Sequence, residues 1–227
     1  MINYDLLLIV HVICGGISLL LGLGVMIQRK GGRLHRRVGT TYYYTMLLAA
    51  FSALPMSYIR NNYFLFTLAV LTLYMVITGR RYIRKRKNQK PTPFDWLMTF
   101  IIVLAGLSFM SFGIYKFSQN SLFGIVYVSF GFAALFFAWQ DIRNFLNKSP
   151  IGNYWLTTHL QRMIGSYIAS VTAFLVVNNN IIPGIVAWLL PSVILVPLIV
   201  KWTWRYRMNK MYRNPDPDVQ YRKFSNT

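Results

Sequence analysis

Residues 4–39 read YDLLLIVHVICGGISLLLGLGVMIQRKGGRLHRRVG, a long apolar run that ends in a cluster of cations. The apolar part can cross a bilayer, because the hydrocarbon core is about 30 Å thick and takes about 20 residues of α-helix. It carries Asp5 and no Lys or Arg before residue 29, whereas a secretory signal peptide begins with a basic region. We therefore expect this run to be retained as the first membrane helix.

The same pattern recurs along the chain and predicts seven membrane helices with polar segments between them. More than half of the residues are hydrophobic (55 %) and only 13 % are charged, against about 25 % in soluble domains. The fold class that we expect is an all-α polytopic bundle. The predicted spans are Tyr4 to Ile27, Thr40 to Ile59, Tyr63 to Gly79, Phe94 to Tyr115, Leu122 to Trp139, Tyr154 to Val177 and Ile181 to Trp202.

The cations lie on one side of this predicted bundle. Loops one, three and five, the helix ends that adjoin them and the C-terminal tail carry 22 Lys and Arg, and the other side carries Arg60 and Lys116. Cytoplasmic loops are enriched in Lys and Arg, so the N-terminus is predicted outside and the C-terminus in the cytoplasm. We expect a bundle over residues 1–203 and a basic cytoplasmic tail over 204–227.

The net charge of +19 would suggest nucleic acid as the partner of a soluble protein. Here the charge is explained by membrane orientation and by contact with anionic lipids at the cytoplasmic face. Nucleic-acid binding is therefore not expected, and a membrane protein partner stays open. The single cysteine, Cys14, excludes an internal disulfide bond and a thiolate metal cluster.

The first span contains one ionisable group near its middle. His11, Gly15, Ser18 and Gly22 follow helical spacing and share one face. Small residues allow another helix to approach closely, so this face should be buried in the bundle. His11 is either a histidine that hydrogen-bonds a neighbouring helix or part of a second intramembrane site.

The sixth span carries the densest polar stripe. His159, Arg162, Ser166 and Ser170 are spaced along one helix face. Arg162 lies about 12 Å into the predicted helix at 1.5 Å per residue, too deep to be left comfortably without a counter-charge. Asp141 is the acid placed to meet it, either as a structural ion pair or as part of a functional site.

His35 lies at the cytoplasmic mouth of the second span and shares a face with mostly small residues, so it is either a solvated loop histidine or one that points into the bundle. If it points inward, several polar side chains would meet at one cytoplasmic-side depth in a shared pocket. The predicted site residues are His35, Arg36, Gln140, Asp141, His159 and Arg162.

The histidines do not form a recognisable metal motif. Neutral imidazole suits zinc, copper and haem iron, but HxxxH and HExxH spacings are absent from the sequence. His11 and His159 should differ by about 13 Å in depth, too far apart to bind one ion. We expect no metal site, and haem or quinone are the cofactors that the His35–His159 region could take.

Four strings together resemble a known family. They are HVICGGISLLLG (11–22), KGGRLHRRVGTTYYYTML (30–47), HLQRMIGSYIASVTAFLVVN (159–178) and WLLPSVILVPLI (188–199). The chain resembles a family of bacterial multi-pass membrane proteins, described as predicted membrane proteins of unknown function. The resemblance implies a helical protein of the bacterial inner membrane and supplies no activity. It also implies the family's signature positions, which would be His11, His35, Arg36, His159 and Arg162.

Three functional hypotheses follow from these residues. The first is a redox-associated membrane protein whose cytoplasmic-side His/Arg/Asp site binds haem or quinone or relays protons, since histidine changes charge near neutral pH. The second is a transporter that uses the same site for its substrate or for protons. The third is a non-catalytic assembly or accessory subunit in which the polar groups only pack helices.

Overall fold

In the computed structural model, which describes residues 4–85, 90–148 and 153–208, the chain forms seven α-helices and no strand within those ranges. All-helical architecture is therefore confirmed. The helices are α1 (Tyr4–Ile27), α2 (Arg33–Ile59), α3 (Tyr63–Lys85), α4 (Pro93–Ser118), α5 (Gly124–Phe145), α6 (Tyr154–Asn178) and α7 (Gly184–Met208).

Six of these helices are long and apolar enough to cross a membrane, and α2 is the exception in the described part of the chain. Hydroxyl-bearing residues such as Tyr42, Thr45 and Ser52 lower the hydropathy of α2. Its 27 residues nevertheless run antiparallel to α1 along the bundle. His11 of α1 lies against Ala49 and Ser18 lies against Thr45, so the α1–α2 hairpin is closed by polar contacts.

The helices extend further into the basic segments than the hydropathy pattern predicted. The second helix begins at Arg33 instead of Thr40, and the third ends at Lys85 instead of Gly79. Arg and Lys are good helix formers, so a helix continues beyond the point where its side chains leave the apolar layer. The seventh helix runs to Met208, past the predicted boundary at 203, and residues 209–227 of the predicted tail lie outside the described residues.

An asparagine in the left-handed conformation follows three of the helices. Asn61, Asn120 and Asn147 follow α2, α4 and α5 with φ between 52° and 55°, and Gly31 has φ 81° in the α1–α2 turn. Asparagine tolerates this left-handed conformation better than most residues, so short turns can follow the helices directly. The turns keep consecutive helices antiparallel.

The core is divided into an aromatic end and a polar end. At the aromatic end, Phe64 packs edge-on against Tyr127, Phe130 and Trp188, with ring centroids 4.4–5.6 Å apart. Helices α3 and α5 run in the same direction, so the late residues of both helices meet at the other end. There the core is built from charged and hydroxyl side chains, and these form the candidate site.

Candidate functional site

A buried ion pair joins α5 and α6. Nη2 of Arg162 lies 2.9 Å from Oδ1 of Asp141, and the two side chains are 0 % and 1 % exposed. The same Nη2 donates to the backbone carbonyl of Phe137 over 2.9 Å. The pairing that the sequence suggested for Arg162 and Asp141 is therefore present, deep inside the bundle.

Three hydroxyl groups surround the carboxylate. Tyr82 donates to Oδ1 over 2.8 Å, Tyr74 donates to Oδ2, and Thr99 lies 3.4 Å from Oδ2. Sequence reasoning missed these donors because it concentrated on charged residues and histidines. A signal existed: Tyr74 and Tyr82 are eight residues apart on α3, so they share the helix face that meets Asp141.

The polar network continues from Tyr82 toward the basic end of the bundle. The Asn144 amide donates to the Tyr82 hydroxyl over 3.2 Å and to the Thr158 hydroxyl over 3.3 Å. Asn144 precedes the last residue of α5, and Thr158 lies in the second turn of α6. Buried polar side chains thus lead from Asp141 to the helix ends.

The Arg162 guanidinium is held between two aromatic rings and retains unused donors. Its central carbon lies 4.2 Å from the ring centroid of Phe137 and 4.7 Å from that of Tyr74. Nε and Nη1 are buried and have no hydrogen-bond partner among the described residues. The hydrogen-bonding groups of Asp141 are therefore more completely paired than those of Arg162.

His159 takes a different partner from the one predicted. Its Nδ1 lies 2.8 Å from the backbone carbonyl of Gly79 on α3, so Nδ1 donates and Nε2 is the unprotonated nitrogen. The sequence predicted that His159 would meet another side chain of the site, and the partner seen here is a backbone carbonyl of α3. His159 and Arg162 are three residues apart and point about 60° apart around α6, which sends one to α3 and the other to α5.

The remaining predicted residues do not join the ion pair. Gln140 donates to Gln161 over 2.7 Å, and Arg36 is exposed. His35 is half-buried, and its Nδ1 has no hydrogen-bond partner among the described residues. The expected shared pocket open to the cytoplasm was wrong for Asp141 and Arg162, because the packing of α3, α5 and α6 buries both side chains completely.

His11 forms a separate polar contact at the α1–α2 interface. Its Nδ1 lies 2.8 Å from the Ala49 carbonyl and 3.3 Å from the Ser52 hydroxyl. Ser18 and Gly22 on the same face are buried, as the spacing predicted. The face points into the bundle, and His11 hydrogen-bonds a neighbouring helix.

A second ion-pair cluster joins α3 to the start of α4. Asp95 accepts from Arg81 over 2.7 Å, from Lys85 and from the backbone of Thr92. Its position in the first turn of α4 completes a capping box with Thr92, so this cluster has a structural explanation. No group of three metal-binding side chains occurs within residues 4–85, 90–148 and 153–208.

Comparison with known proteins bears on the first part of the chain. Residues 8–99 match the family described as "Predicted membrane protein (DUF2306)". The resemblance seen in the sequence is thereby confirmed, and the chain is a membrane protein with several spans. The match runs from residue 8 in α1 to residue 99 in α4 and contains His11 and His35, whereas Asp141 and Arg162 lie beyond it. Comparisons with curated proteins and with solved structures found no match.

Proposed function

We propose that the Asp141–Arg162 pair is the centre of an integral membrane protein that relays or co-transports protons. The observation that carries the proposal is a fully buried ion pair in a membrane bundle whose arginine has two nitrogens, Nε and Nη1, without a hydrogen-bond partner among the described residues. Ionisable residues inside a membrane bundle commonly mark ion and proton pathways. By resemblance, the protein would act in a bacterial cytoplasmic membrane.

The cost of burying the Asp141–Arg162 pair favours a functional role for it over a purely structural one. Removing two charges from water is costly, and their attraction compensates only when the remaining hydrogen-bonding positions are also satisfied. Asp141 meets this condition through its hydroxyl donors, but Nε and Nη1 of Arg162 do not. Apolar side chains would pack this position at lower cost, so we infer that the pair is retained for its charge.

Proton exchange at Asp141 would change the pair in a defined way. The carboxylate would take one proton and become a neutral carboxylic acid, while Arg162 would keep its charge. Arg162 would then lack a counter-charge in a buried site and would have to find another acceptor. Protonation would therefore open the pair, which is the coupling that a proton relay or a proton-driven transporter needs.

The group that can pass a proton to Asp141 is the Tyr82 hydroxyl, because it donates to the carboxylate and can accept a proton in return. The Asn144 amide donates to both the Tyr82 and the Thr158 hydroxyls, so it positions these two groups and does not carry the proton itself. These side chains lie toward the basic end of the bundle, which is the predicted cytoplasmic side.

Infrared difference spectroscopy tests this proposal without a known substrate. The full chain in lipid would be titrated while the C=O stretch of a protonated, buried carboxylic acid is recorded. We expect a band that disappears in Asp141→Asn and remains in Asp95→Asn, the matched control from the second ion-pair cluster. If Asp141 stays ionised throughout the pH range in which the protein remains folded, the pair is a static lock and the proposal is wrong.

A second candidate function is haem binding between α2 and α6, and the orientation of His159 favours it. The hydrogen bond from Nδ1 to Gly79 leaves Nε2 as a free lone pair, and a second-shell bond of this kind is typical of metal-binding histidines. His35 is half-buried on α2, and its Nδ1 has no hydrogen-bond partner among the described residues. The visible absorption spectrum after addition of haem is the test, and a Soret band lost in His159→Ala but retained in His11→Ala would support this function.

A further inference from the structure

Arg80 differs from the other half-buried cations of α3, Arg81 and Lys85. Its neighbour Arg81 and also Lys85 pair with Asp95, and Arg162 pairs with Asp141. Arg80 forms no ion pair with a described residue. It is half-buried at the α2–α3 junction, where a charge without a counter-ion is costly.

The surroundings of Arg80 form a basic aromatic cleft between α2 and α3. The guanidinium carbon lies 4.5 Å from the ring centroid of Tyr43 and 5.5 Å from that of Tyr44, and Nη1 donates to the Thr40 hydroxyl over 3.4 Å. Two exposed arginines precede these residues by about one and two turns on the same side of α2. The α2–α3 cleft is therefore defined as Arg36, Arg37, Thr40, Tyr43, Tyr44 and Arg80.

Lys30, another cation at this end of the bundle, already has partners within the protein. Lys30 donates to the carbonyls of Val25 and Met26 over 3.0 and 2.5 Å, and its ammonium group lies 4.3 Å from the ring centroid of Trp202. Burial lowers the pKa of this ammonium group. Lys30 thus contacts the end of α1, whereas the arginines of the α2–α3 cleft have no acidic partner among the described residues.

We propose that the α2–α3 cleft binds the phosphate group of an anionic phospholipid. Guanidinium groups match phosphate oxygens in geometry and charge, and Arg80 is pre-oriented by two rings and a hydroxyl. Tyrosine is enriched at the headgroup level of membranes, and Tyr44 is 54 % exposed beside Arg80. A phospholipid suits this cleft better than a free anion does, because its acyl chains can cover the aromatic rings beside the cationic group.

Native mass spectrometry of the full chain, with phosphatidylglycerol or phosphatidylcholine added, measures the selectivity of the cleft. We expect the wild-type protein to retain phosphatidylglycerol preferentially, and Arg80→Gln to weaken its retention by about tenfold, the loss of one charge-assisted contact of about 1.4 kcal/mol. Arg84→Gln is the matched control, because Arg84 is exposed one turn further along the same helix. Arg80→Lys keeps the charge but loses the planar fork, and it should bind with intermediate strength.

Two results would overturn the proposal. If Arg84→Gln weakens retention as much as Arg80→Gln, the lipid is attracted by the general positive charge and the cleft is not a site. If inorganic phosphate displaces phosphatidylglycerol from the wild-type protein, the cleft recognises a free anion. If Arg80→Gln does not fold, Arg80→Lys decides the question, because unchanged retention in that variant would exclude the planar fork as the determinant.

Discussion

Nη2 of Arg162 and Oδ1 of Asp141 lie 2.9 Å apart in a part of the bundle that water does not reach. Each residue comes from a different helix, and the tyrosines that complete the site come from a third. The ion pair therefore fixes the relative rotation of α3, α5 and α6. Burying these two charges carries a desolvation cost that their attraction and the surrounding hydrogen bonds must offset.

The first prediction concerns the two members of this pair. Asp141→Leu and Arg162→Met should each lower the free energy of unfolding by about 3–5 kcal/mol, because each leaves a buried charged group without its partner. The double variant Asp141→Leu with Arg162→Met should lose much less than the sum of the single variants. Chemical unfolding in detergent measures all three. Additive losses would show that the two side chains are not coupled.

The second prediction concerns the hydroxyl of Tyr82. Tyr82→Phe removes a donor to Asp141 and an acceptor for Asn144 while keeping the ring, so it should lower the free energy of unfolding by about 1–3 kcal/mol. Tyr115→Phe is the control, since Tyr115 is 57 % exposed on α4. Equal midpoints of thermal unfolding for the two variants would contradict the observed network.

The third prediction concerns the small-residue face of α1. A Cβ atom added at Gly22 would lie 2.3 Å from Cδ2 of Tyr167 and 3.0 Å from the Tyr42 ring, whereas one added at Gly15 meets nothing within 4 Å. Gly22→Ala should therefore cost about 1–3 kcal/mol through overpacking, and Gly15→Ala should not destabilise. Thermal unfolding in detergent compares them. The opposite order would show that α1 packs through Gly15.

The fourth prediction concerns orientation in the membrane. Reporter fusions at residues 85 and 215 should report the cytoplasm, and fusions at residues 60 and 118 should report the outside, because of the distribution of Lys and Arg. The fusion at residue 60 also tests whether α2 crosses the membrane despite its low hydropathy. A cytoplasmic signal at residue 60 would place α2 on one side of the membrane only.

Local sequence patterns predicted the helices and their buried faces. The bounds of α1 agree with the apolar run, and the faces that carry Ser18 and Ser166 are buried as their spacing indicated. Hydropathy and the 3.6-residue period depend only on neighbours along the chain, so one sequence suffices for them. The pairing of Asp141 with Arg162 could also be predicted from the sequence, because an arginine deep in a membrane helix needs an acidic partner at a similar depth.

Tertiary structure decided how those faces meet. Tyr74 and Tyr82 reach Asp141, and His159 bonds Gly79, because α3 packs against α6 beside the ion pair that joins α5 and α6. Gly15 and Gly22 look equivalent in the sequence, yet only Gly22 touches aromatic rings. The difference arises because crossing angles and helix rotations are set by the packing of all the helices together, and no periodicity within one helix encodes them.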